Sequence, residues 1–196
     1  PRAYTIFTPS PAMPFGPEPP QLLKQRFFYK GRKFAFEANR LRLPNKAEGE
    51  WECVRHPGGA LAVPVTSEGK FVLVKQYRFT ARGRLLEFPA GTIETDEDPA
   101  TTIEREIQEE TGYRANRWQK LGEFFVAPGY SDEIIYAFLA QDLELLDNPP
   151  EPDIDEDLAT VLMTGDEVEQ AIYSGELTDA KSICGFFMAR PFLNGS

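Results

Sequence analysis

The chain has 196 residues, of which 41% are hydrophobic and 27% are charged, and its net charge is −10. This is the length of one ordinary domain, with enough apolar residues for a core that needs no disulfide or structural metal. An acidic chain is not expected to coat nucleic acid, because such binding requires a basic surface.

The charge is distributed unevenly along the chain. Residues 1–86 hold fifteen basic and six acidic side chains, a net of +9. Residues 87–110 have a net of −8, and residues 142–169 hold eleven acidic side chains and no basic one. A basic first half is therefore followed by two acidic blocks, which are either solvated surface or part of a chemical site.

The N-terminal twenty residues carry seven prolines and are predicted to form an arm or loop. They have no basic segment followed by an apolar run, so no signal peptide is expected. No stretch approaches the eighteen or so apolar residues of a membrane-spanning helix. The two cysteines, Cys53 and Cys184, are too few and too far apart for a disulfide framework, which favours reduced thiols in the cytoplasm.

Strands are predicted where apolar and polar residues alternate, or where a short apolar run lies between turn residues. The segment from Gln21 to about Arg55 is strand-like, with turn signals at Lys30-Gly31 and Pro44-Asn45. A hairpin is predicted around Ser67-Glu68-Gly69. The other predicted strands are Ala60–Val65, Phe71–Lys75, Leu85–Phe88, Leu121–Val126, Ile134–Leu139 and Leu158–Met163.

Three helices are predicted, over Pro99–Thr111, Asp166–Ser174 and Asp179–Met188. The first has the clearest end signals, because Asp98 is a good N-cap and Gly112 suits the left-handed residue beyond the last turn. Strands and helices do not alternate regularly. The sequence therefore predicts an α/β (α+β) fold with a mixed sheet and helices on its faces, rather than a doubly wound parallel sheet.

One face of the first helix carries three acidic residues, Glu106, Glu109 and Glu110. These like charges repel one another, and they lie near the end of the helix where the dipole disfavours anions. A cation would relieve the repulsion, and Mg²⁺ prefers carboxylate oxygens. The alternative is an ordinary solvated helix face, which the helix alone does not exclude.

The segment from Gly91 to Tyr113 resembles the Nudix box. That box is a glycine, five residues, Glu, seven residues, and then Arg-Glu-apolar-x-Glu-Glu-x-Gly-apolar. Gly91, Glu97 and the run from Arg105 to Gly112 put all seven fixed residues in register, and Tyr113 is aromatic where an aliphatic residue is usual. The resemblance implies an α/β/α sandwich around a mixed sheet, and hydrolysis of nucleoside diphosphates linked to another moiety.

The resemblance also implies roles for residues of the box and the turn before it. The expected ion is Mg²⁺, with Mn²⁺ as a possible substitute. The expected metal ligands are the backbone carbonyl of Ala90 and the carboxylates of Glu106, Glu109 and Glu110. The expected catalytic residues are Glu97, Arg105, Glu109 and Glu110, of which Glu97 and Arg105 are expected to form a salt bridge that fixes the loop.

Outside the box, Pro128 lies sixteen residues after its last glycine, in a stretch that resembles the ADP-ribose pyrophosphatase subfamily. The stretches Leu86–Glu94, Arg55–Gly59 and Gln76–Arg78 resemble it as well. The alternative for Pro128 is an ordinary loop proline. His56, the one histidine, is expected to cap a turn rather than transfer protons.

This second resemblance implies the substrate contacts. Arginines suit phosphate recognition, and an aromatic residue can stack on a base. The expected substrate-binding residues are Arg55, Arg78, Glu87, Phe28 and Pro128. Phe27 and Tyr29 are alternatives to Phe28, and all three aromatics have core or dimer contacts as the other interpretation. In this subfamily the N-terminal strands exchange between subunits, so a homodimer is expected.

The second acidic block includes the proline-rich stretch 149–157. The family usually brings a glutamate from this loop to act as catalytic base or as a further metal ligand. Glu156 is the best match to that residue, and Asp153, Asp155 and Asp157 remain alternatives.

The resemblances together imply a cytoplasmic, Mg²⁺-dependent enzyme that hydrolyses ADP-ribose to AMP and ribose 5-phosphate. The alternatives are a hydrolase of another nucleotide sugar, such as UDP-glucose or GDP-mannose, and a catalytically idle nucleotide-sugar sensor, which the complete box disfavours. The predicted organisation is a Pro-rich arm (1–20), a small antiparallel β region for dimerisation (21–56) and a Nudix hydrolase domain (57–196).

Overall fold

The computed structural model describes residues 15–150 and 157–193, which form ten strands and three helices. The strands are β1 (Gln21–Lys30), β2 (Ala35–Arg42), β3 (Glu48–Arg55), β4 (Gly59–Pro64), β5 (Phe71–Arg78), β6 (Gly83–Glu87), β7 (Ala90–Thr92), β8 (Tyr113–Phe125), β9 (Ile134–Leu145) and β10 (Leu158–Met163). The helices are α1 (Pro99–Thr111), α2 (Gly165–Ser174) and α3 (Ala180–Leu193). In this described part of the chain, no helix has the length and apolar character needed to span a bilayer.

The chain divides into two compact units. The first comprises the chain up to Gly58 together with Glu123–Ile134. The second comprises Gly59–Gly122 together with the chain from Ile135 onward.

The first unit contains an antiparallel sheet in the order β1-β2-β3. Its three strands and the breaks between them confirm the strand pattern predicted from Gln21 to Arg55. Strand β1 pairs with β2, and nine of its ten residues are exposed. The sheet therefore keeps large apolar side chains in contact with solvent, among them Leu22, Phe27, Tyr29 and Phe34.

The second unit contains two sheets. A four-stranded sheet has the order β7-β4-β9-β8, in which β4 is antiparallel to β7 and parallel to β9. A three-stranded antiparallel sheet has the order β10-β5-β6. Helices α1 and α3 both pack on β4, and the core contains the fully buried Leu61, Val63, Ile103, Ile107 and Leu139. The predicted mixed sheet and α/β class are confirmed.

The hairpin predicted around Ser67-Glu68-Gly69 forms only next to its turn, where Val65 and Phe71 make a single antiparallel bridge. The turn itself forms, because the amide of Thr66 donates to the carbonyl of Lys70 at 2.8 Å. However, the flanking strands β4 and β5 belong to different sheets. All six residues of β4 are buried, so its backbone groups need partners on both sides, and β7 and β9 supply them. The turn therefore leads from one sheet to the other.

The other differences are one unpredicted strand and the ends of three elements. Strand β7 had no apolar pattern and was not predicted. Strand β8 begins at Tyr113, eight residues before its predicted start, and β9 continues to Leu145. Helix α3 continues to Leu193, although the prediction ended it at Met188, ahead of the helix-breaking Pro191.

Candidate active site

Helix α1 forms where its end signals predicted it, with the same bounds. The side chain of Asp98 accepts a hydrogen bond from the amide of Ala100 at 2.9 Å, and Gly112 has a φ of 74° beyond the last turn. The apolar residues Ile103 and Ile107 are fully buried. The helix is therefore anchored by its apolar stripe and by both ends.

Two of the three glutamates on the acidic face of α1 are buried together with this stripe. Glu106 is 8% exposed and Glu110 is 3% exposed. The amide of Ala90 donates to Oε2 of Glu110 at 3.1 Å. A Cβ atom placed on Gly91 would lie 2.1 Å from the carboxyl carbon of Glu106. The carboxylates of α1 thus meet the backbone of β7, as the predicted arrangement of turn and helix requires, and only glycine allows so close an approach.

Strand β7 is held in place by pairing with β4, in which Gly91 lies opposite Ala60 and Ala90 lies opposite Leu61. Since α1 packs on both β4 and β7, the helix and the strand that carries Gly91 share one support. The sequence-predicted residues Ala90, Glu106 and Glu110 are therefore brought together by the fold.

Arg105 lies among the acidic side chains. Its Nη1 atom is 2.9 Å from Oε1 of Glu106 and 2.9 Å from Oε2 of Glu109. Its Nη2 atom is 3.5 Å from Oε2 of Glu97, so the expected ion pair is present but long. Burial alone lowers the pKa of Arg105, and the charge of Glu106 and the hydrogen bond to Glu109 outweigh this and raise it. The guanidinium therefore stays charged and offsets the repulsion between the carboxylates.

The loop before the helix is held by hydrogen bonds to Glu97 that are shorter than its ion pair with Arg105 and that were not predicted from the sequence. The hydroxyl of Thr102 donates to Oε2 of Glu97 at 2.7 Å, and the amide of Glu94 donates to the same oxygen at 3.3 Å. Burial raises the pKa of Glu97, but these hydrogen bonds and Arg105 outweigh it and lower the pKa overall. Thr102 is five residues after Glu97, near the start of α1. That position was the available signal that its hydroxyl could reach the carboxylate of Glu97.

The donor chemistry of this site fits Mg²⁺. Glu106 and Glu110 both offer carboxylate oxygens, the ligands that Mg²⁺ prefers, and both side chains are buried. The contact that is seen with Ala90 uses its amide, which donates to Glu110. Within residues 15–150 and 157–193, however, no three His, Cys, Asp or Glu side chains are grouped so that they could hold a metal ion. Arg105 lies between Glu106 and Glu109 and pairs with both.

A second ionic cluster surrounds Glu87, which is 1% exposed. Arg78 binds it with two hydrogen bonds, from Nε to Oε1 at 2.9 Å and from Nη2 to Oε2 at 2.8 Å. The Nζ atom of Lys181 lies 2.5 Å from Oε2. The sequence did not indicate Lys181 itself. It did contain a signal for such a partner, because Glu87 lies in an apolar run and a buried carboxylate needs a cation nearby.

The cluster predicts a pH dependence of stability. Burial raises the pKa of Glu87, but the hydrogen bonds of Arg78 and the charge of Lys181 outweigh it and lower the pKa from 4.5 to about 2. A carboxyl whose pKa falls on folding stabilises the fold above its unfolded pKa, and that stability is lost as pH falls towards the folded value. We expect Glu87 to contribute about 3 kcal/mol at neutral pH, lost between about pH 5 and pH 2.

Urea unfolding of wild type and Glu87→Gln at pH 6 and pH 2.5 measures this contribution. The free energy of unfolding of wild type is expected to fall more steeply between the two pH values than that of the variant. Equal slopes would show that Glu87 is not the group that titrates.

The remaining predicted substrate contacts belong to the first unit. Arg55 hydrogen-bonds Oε1 of Glu37 through Nε at 2.8 Å and Oδ2 of Asp132 through Nη1 at 3.0 Å. Phe28 is 40% exposed, and Pro128 is exposed in the loop between β8 and β9. Nδ1 of His56 accepts from the amide of Gly58 at 3.1 Å, which confirms that this histidine caps a turn.

The expected catalytic base Glu156 lies outside the described residues, as do Asp153 and Asp155. Asp157 is described, and its carboxylate forms an ion pair with Arg84. Its carbonyl accepts from the amide of Tyr77 at 3.0 Å, which places it beside β5 at the start of β10. Of the four carboxylates considered for this role, Asp157 is thus the one whose surroundings are defined.

Known proteins agree with the geometry of the second unit. The NUDIX domain family model matches residues 55–184, a range that includes β7 and α1. The chain belongs to the Nudix family. The predicted family is therefore confirmed, and with it the enzyme class, a Nudix pyrophosphohydrolase.

Individual Nudix relatives extend over most of the chain. The ADP-ribose pyrophosphatase of Bacillus subtilis (strain 168) is 36% identical over 161 residues, which cover 82% of this chain and 86% of the relative. The methanol dehydrogenase activator of Bacillus methanolicus is 35% identical over 161 residues, 82% of this chain and 87% of the relative. A crystal structure of an ADP compounds hydrolase has a TM-score of 0.77 at 23% identity and covers 90% of this chain and 95% of its own, which supports the Nudix fold.

Proposed function

We propose that this Nudix enzyme hydrolyses the pyrophosphate bond of ADP-ribose and releases AMP and ribose 5-phosphate, with Mg²⁺ as its metal and Mn²⁺ as a substitute. The observation that carries the reaction is the burial of Glu106 and Glu110 against the backbone of Ala90 and Gly91. The substrate rests on the resemblance of the sequence to ADP-ribose pyrophosphatases and on the relative of that name in Bacillus subtilis.

In this proposal Glu106, Glu109 and Glu110 supply carboxylate ligands and Ala90 supplies its carbonyl. The ion would draw together the three carboxylates, which are not grouped for a metal within the described residues. The bound metal would neutralise the pyrophosphate and activate water. Arg105 keeps the carboxylates in place while it offsets their charge. Loss of a proton from the attacking water requires a base, and we assign this role to Glu156.

The cluster around Glu87 has a distinct part in the proposal. Both hydrogen bonds from Arg78 to Glu87 use one edge of the guanidinium, namely Nε and Nη2. Because that edge is fixed, the plane of the guanidinium is fixed as well, and the group is organised in advance for a phosphate oxygen. Arg55, Phe28 and Pro128 are proposed as the other substrate contacts.

A substrate panel tests the assignment. The protein is incubated with Mg²⁺ and, separately, with ADP-ribose, NADH, FAD, UDP-glucose, GDP-mannose or 8-oxo-dGTP, and the products are separated by ion-exchange chromatography. ADP-ribose is expected to give the highest kcat/KM and equal amounts of AMP and ribose 5-phosphate. A clear preference for a hexose nucleotide would replace the assignment by the second candidate, and no cleavage at all would favour a sensor.

The first unit suggests a partner for its sheet. Phe27 and Tyr29 are 52% and 62% exposed on strand β1, and Phe34 is 52% exposed in the turn that follows it. Exposed aromatic residues concentrated on one element are typical of interaction surfaces. We propose that a second copy of the chain covers them, in a homodimer with exchanged N-terminal strands.

Light scattering after size-exclusion chromatography tests the dimer. Wild type is expected to have twice the chain mass of 22.1 kDa, and Phe27→Glu is expected to shift the mass to that of one chain because a charge would be buried at the interface. Tyr173→Glu is the matched control, since Tyr173 is 72% exposed on α2 of the other unit. A dimer that survives Phe27→Glu and dissociates with Tyr173→Glu would locate the interface elsewhere.

A cytoplasmic location completes the proposal. Cys53 and Cys184 are both free. Burial raises the pKa of both thiols. Protonated, unpaired thiols suit a reducing compartment.

A further inference from the structure

The first turn of helix α3 hydrogen-bonds the chain just before strand β7, which carries the box glycine Gly91. The amide of Phe88 donates to Oγ of Ser182 at 2.8 Å, and Ser182 is fully buried. The hydroxyl of Ser182 in turn donates to Oδ2 of Asp179 at 2.6 Å. One serine side chain thus connects the backbone at the end of β6 to the N-terminus of α3.

The neighbouring residue of α3 holds the side chain that precedes Phe88. The Nζ atom of Lys181 lies 2.5 Å from Oε2 of Glu87 and 2.9 Å from Oδ2 of Asp179. Arg78 also binds Glu87, so the cluster contains two carboxylates and two cations. The first turn of α3 therefore fixes both the side chain of residue 87 and the amide of residue 88.

These fixed residues are directly connected to the backbone of the candidate metal site. The carbonyl of Pro89 accepts from the amide of Ala62 at 3.0 Å, and the amide of Ala90 donates to Glu110 at 3.1 Å. Consecutive Cα atoms are about 3.8 Å apart, so Ala90 is only two peptide bonds from Phe88. Over so short a connection we expect a shift of the Phe88 amide to reach Ala90 and Gly91 in part, even though β4 also holds this segment.

The contacts of α3 with Glu87 and Phe88 are polar, which indicates that they serve to position these residues and not mainly to stabilise the fold. A buried ion pair is weak evidence for stability, because apolar residues of the same volume often stabilise a fold as well or better. Hydrogen bonds, in contrast, prefer a narrow range of distance and angle, so they constrain both the position and the direction of an amide. Metal sites are sensitive to such support, since loss of an outer partner typically costs about 10–100-fold in metal affinity or activity.

We propose that Asp179, Lys181 and Ser182 are positioning residues of this enzyme. In this proposal they act through Glu87 and Phe88 and not by binding the metal or the substrate. By fixing Glu87 and Phe88, they hold the backbone of Ala90 and Gly91 against the carboxylates of α1. The proposal rests on the proposed function in one respect, namely that a metal-dependent hydrolysis takes place there.

Three measurements on Ser182→Ala and Lys181→Met test the proposal: amide hydrogen exchange, Mn²⁺ binding by calorimetry without substrate, and steady-state kinetics on the best substrate of the panel. We expect exchange at Phe88 and Ala90 to become about tenfold faster, and Mn²⁺ affinity and kcat to fall about 10–100-fold. KM of Ser182→Ala is expected to stay within about twofold. Lys181→Arg, which keeps the charge, is expected to recover most of the loss.

Two controls separate position from stability. Ser174→Ala removes a hydroxyl that donates to the carbonyl of Ala171 in the last turn of α2, and Lys75→Met removes an exposed charge on β5. Both are expected to match wild type in all three measurements. Variants of Ser182 and Lys181 that lower only the melting temperature, while exchange at Phe88 and Ala90 and Mn²⁺ affinity stay at wild-type values, would overturn the proposal.

The proposal and the proposed function fail in different ways. Amide exchange and Mn²⁺ binding need no substrate, so they test the positioning role even if ADP-ribose is a poor substrate. If exchange and Mn²⁺ affinity change as expected and ADP-ribose is not cleaved, the substrate assignment fails and the positioning role is supported.

Discussion

Glu110→Gln is expected to abolish hydrolysis while the protein stays folded. Glutamine has nearly the shape of glutamate, and its carbonyl oxygen can still accept the hydrogen bond from the amide of Ala90. The substitution therefore removes a buried charge and little else. Because that charge is proposed to bind the metal, kcat is expected to fall by roughly 10²–10⁴-fold or more, measured with ADP-ribose at saturating Mg²⁺.

Glu104→Gln provides the matched control. Glu104 lies on the same helix but is exposed, so its variant is expected to keep wild-type kcat and a similar melting temperature. Circular dichroism of both variants checks the fold. Hydrolysis at the wild-type rate in Glu110→Gln would refute the assignment of Glu110 as a metal ligand.

Gly91→Ala is expected to cost more activity than stability. The new Cβ atom would lie 2.1 Å from the carboxylate of Glu106, a distance at which one of the two groups must move. The group that can move is the end of a flexible side chain, so we expect the fold to tolerate the methyl group and Glu106 to leave its position. A displacement of about 1 Å in a catalytic constellation can cost about 10²-fold in rate, and we expect a loss of that size in kcat.

The control for this variant is Gly83→Ala at the start of β6. A Cβ atom there would meet only the carbonyl of Ala81, at 3.9 Å, and Gly83 has no positive φ. Activity and melting temperature are expected to match wild type. If the melting temperature of Gly91→Ala falls together with its activity, the methyl group has distorted strand β7. The loss of activity would then not be due to displacement of Glu106, and the prediction would be wrong.

Elements with local signals were predicted best. Helix α1 was predicted residue for residue, because its cap, its proline at the first position and its terminal glycine are all read from neighbouring positions. Strand β10 was predicted with the same success from one short apolar run. Strand β7 was missed, since three residues of the sequence Ala-Gly-Thr carry no hydrophobic pattern, and their pairing with β4 is what makes them a strand.

The candidate site shows the same division. The sequence alone determined the family, the box and the glutamates that it contains, because their spacing is a local property of the chain. The tertiary structure decided which of those glutamates are buried, where Arg105 lies among them, and that Ser182 and Lys181 of α3 hold residues 94 positions earlier. Contacts at such a separation depend on how the helix packs on the sheet, and no spacing within the sequence specifies them.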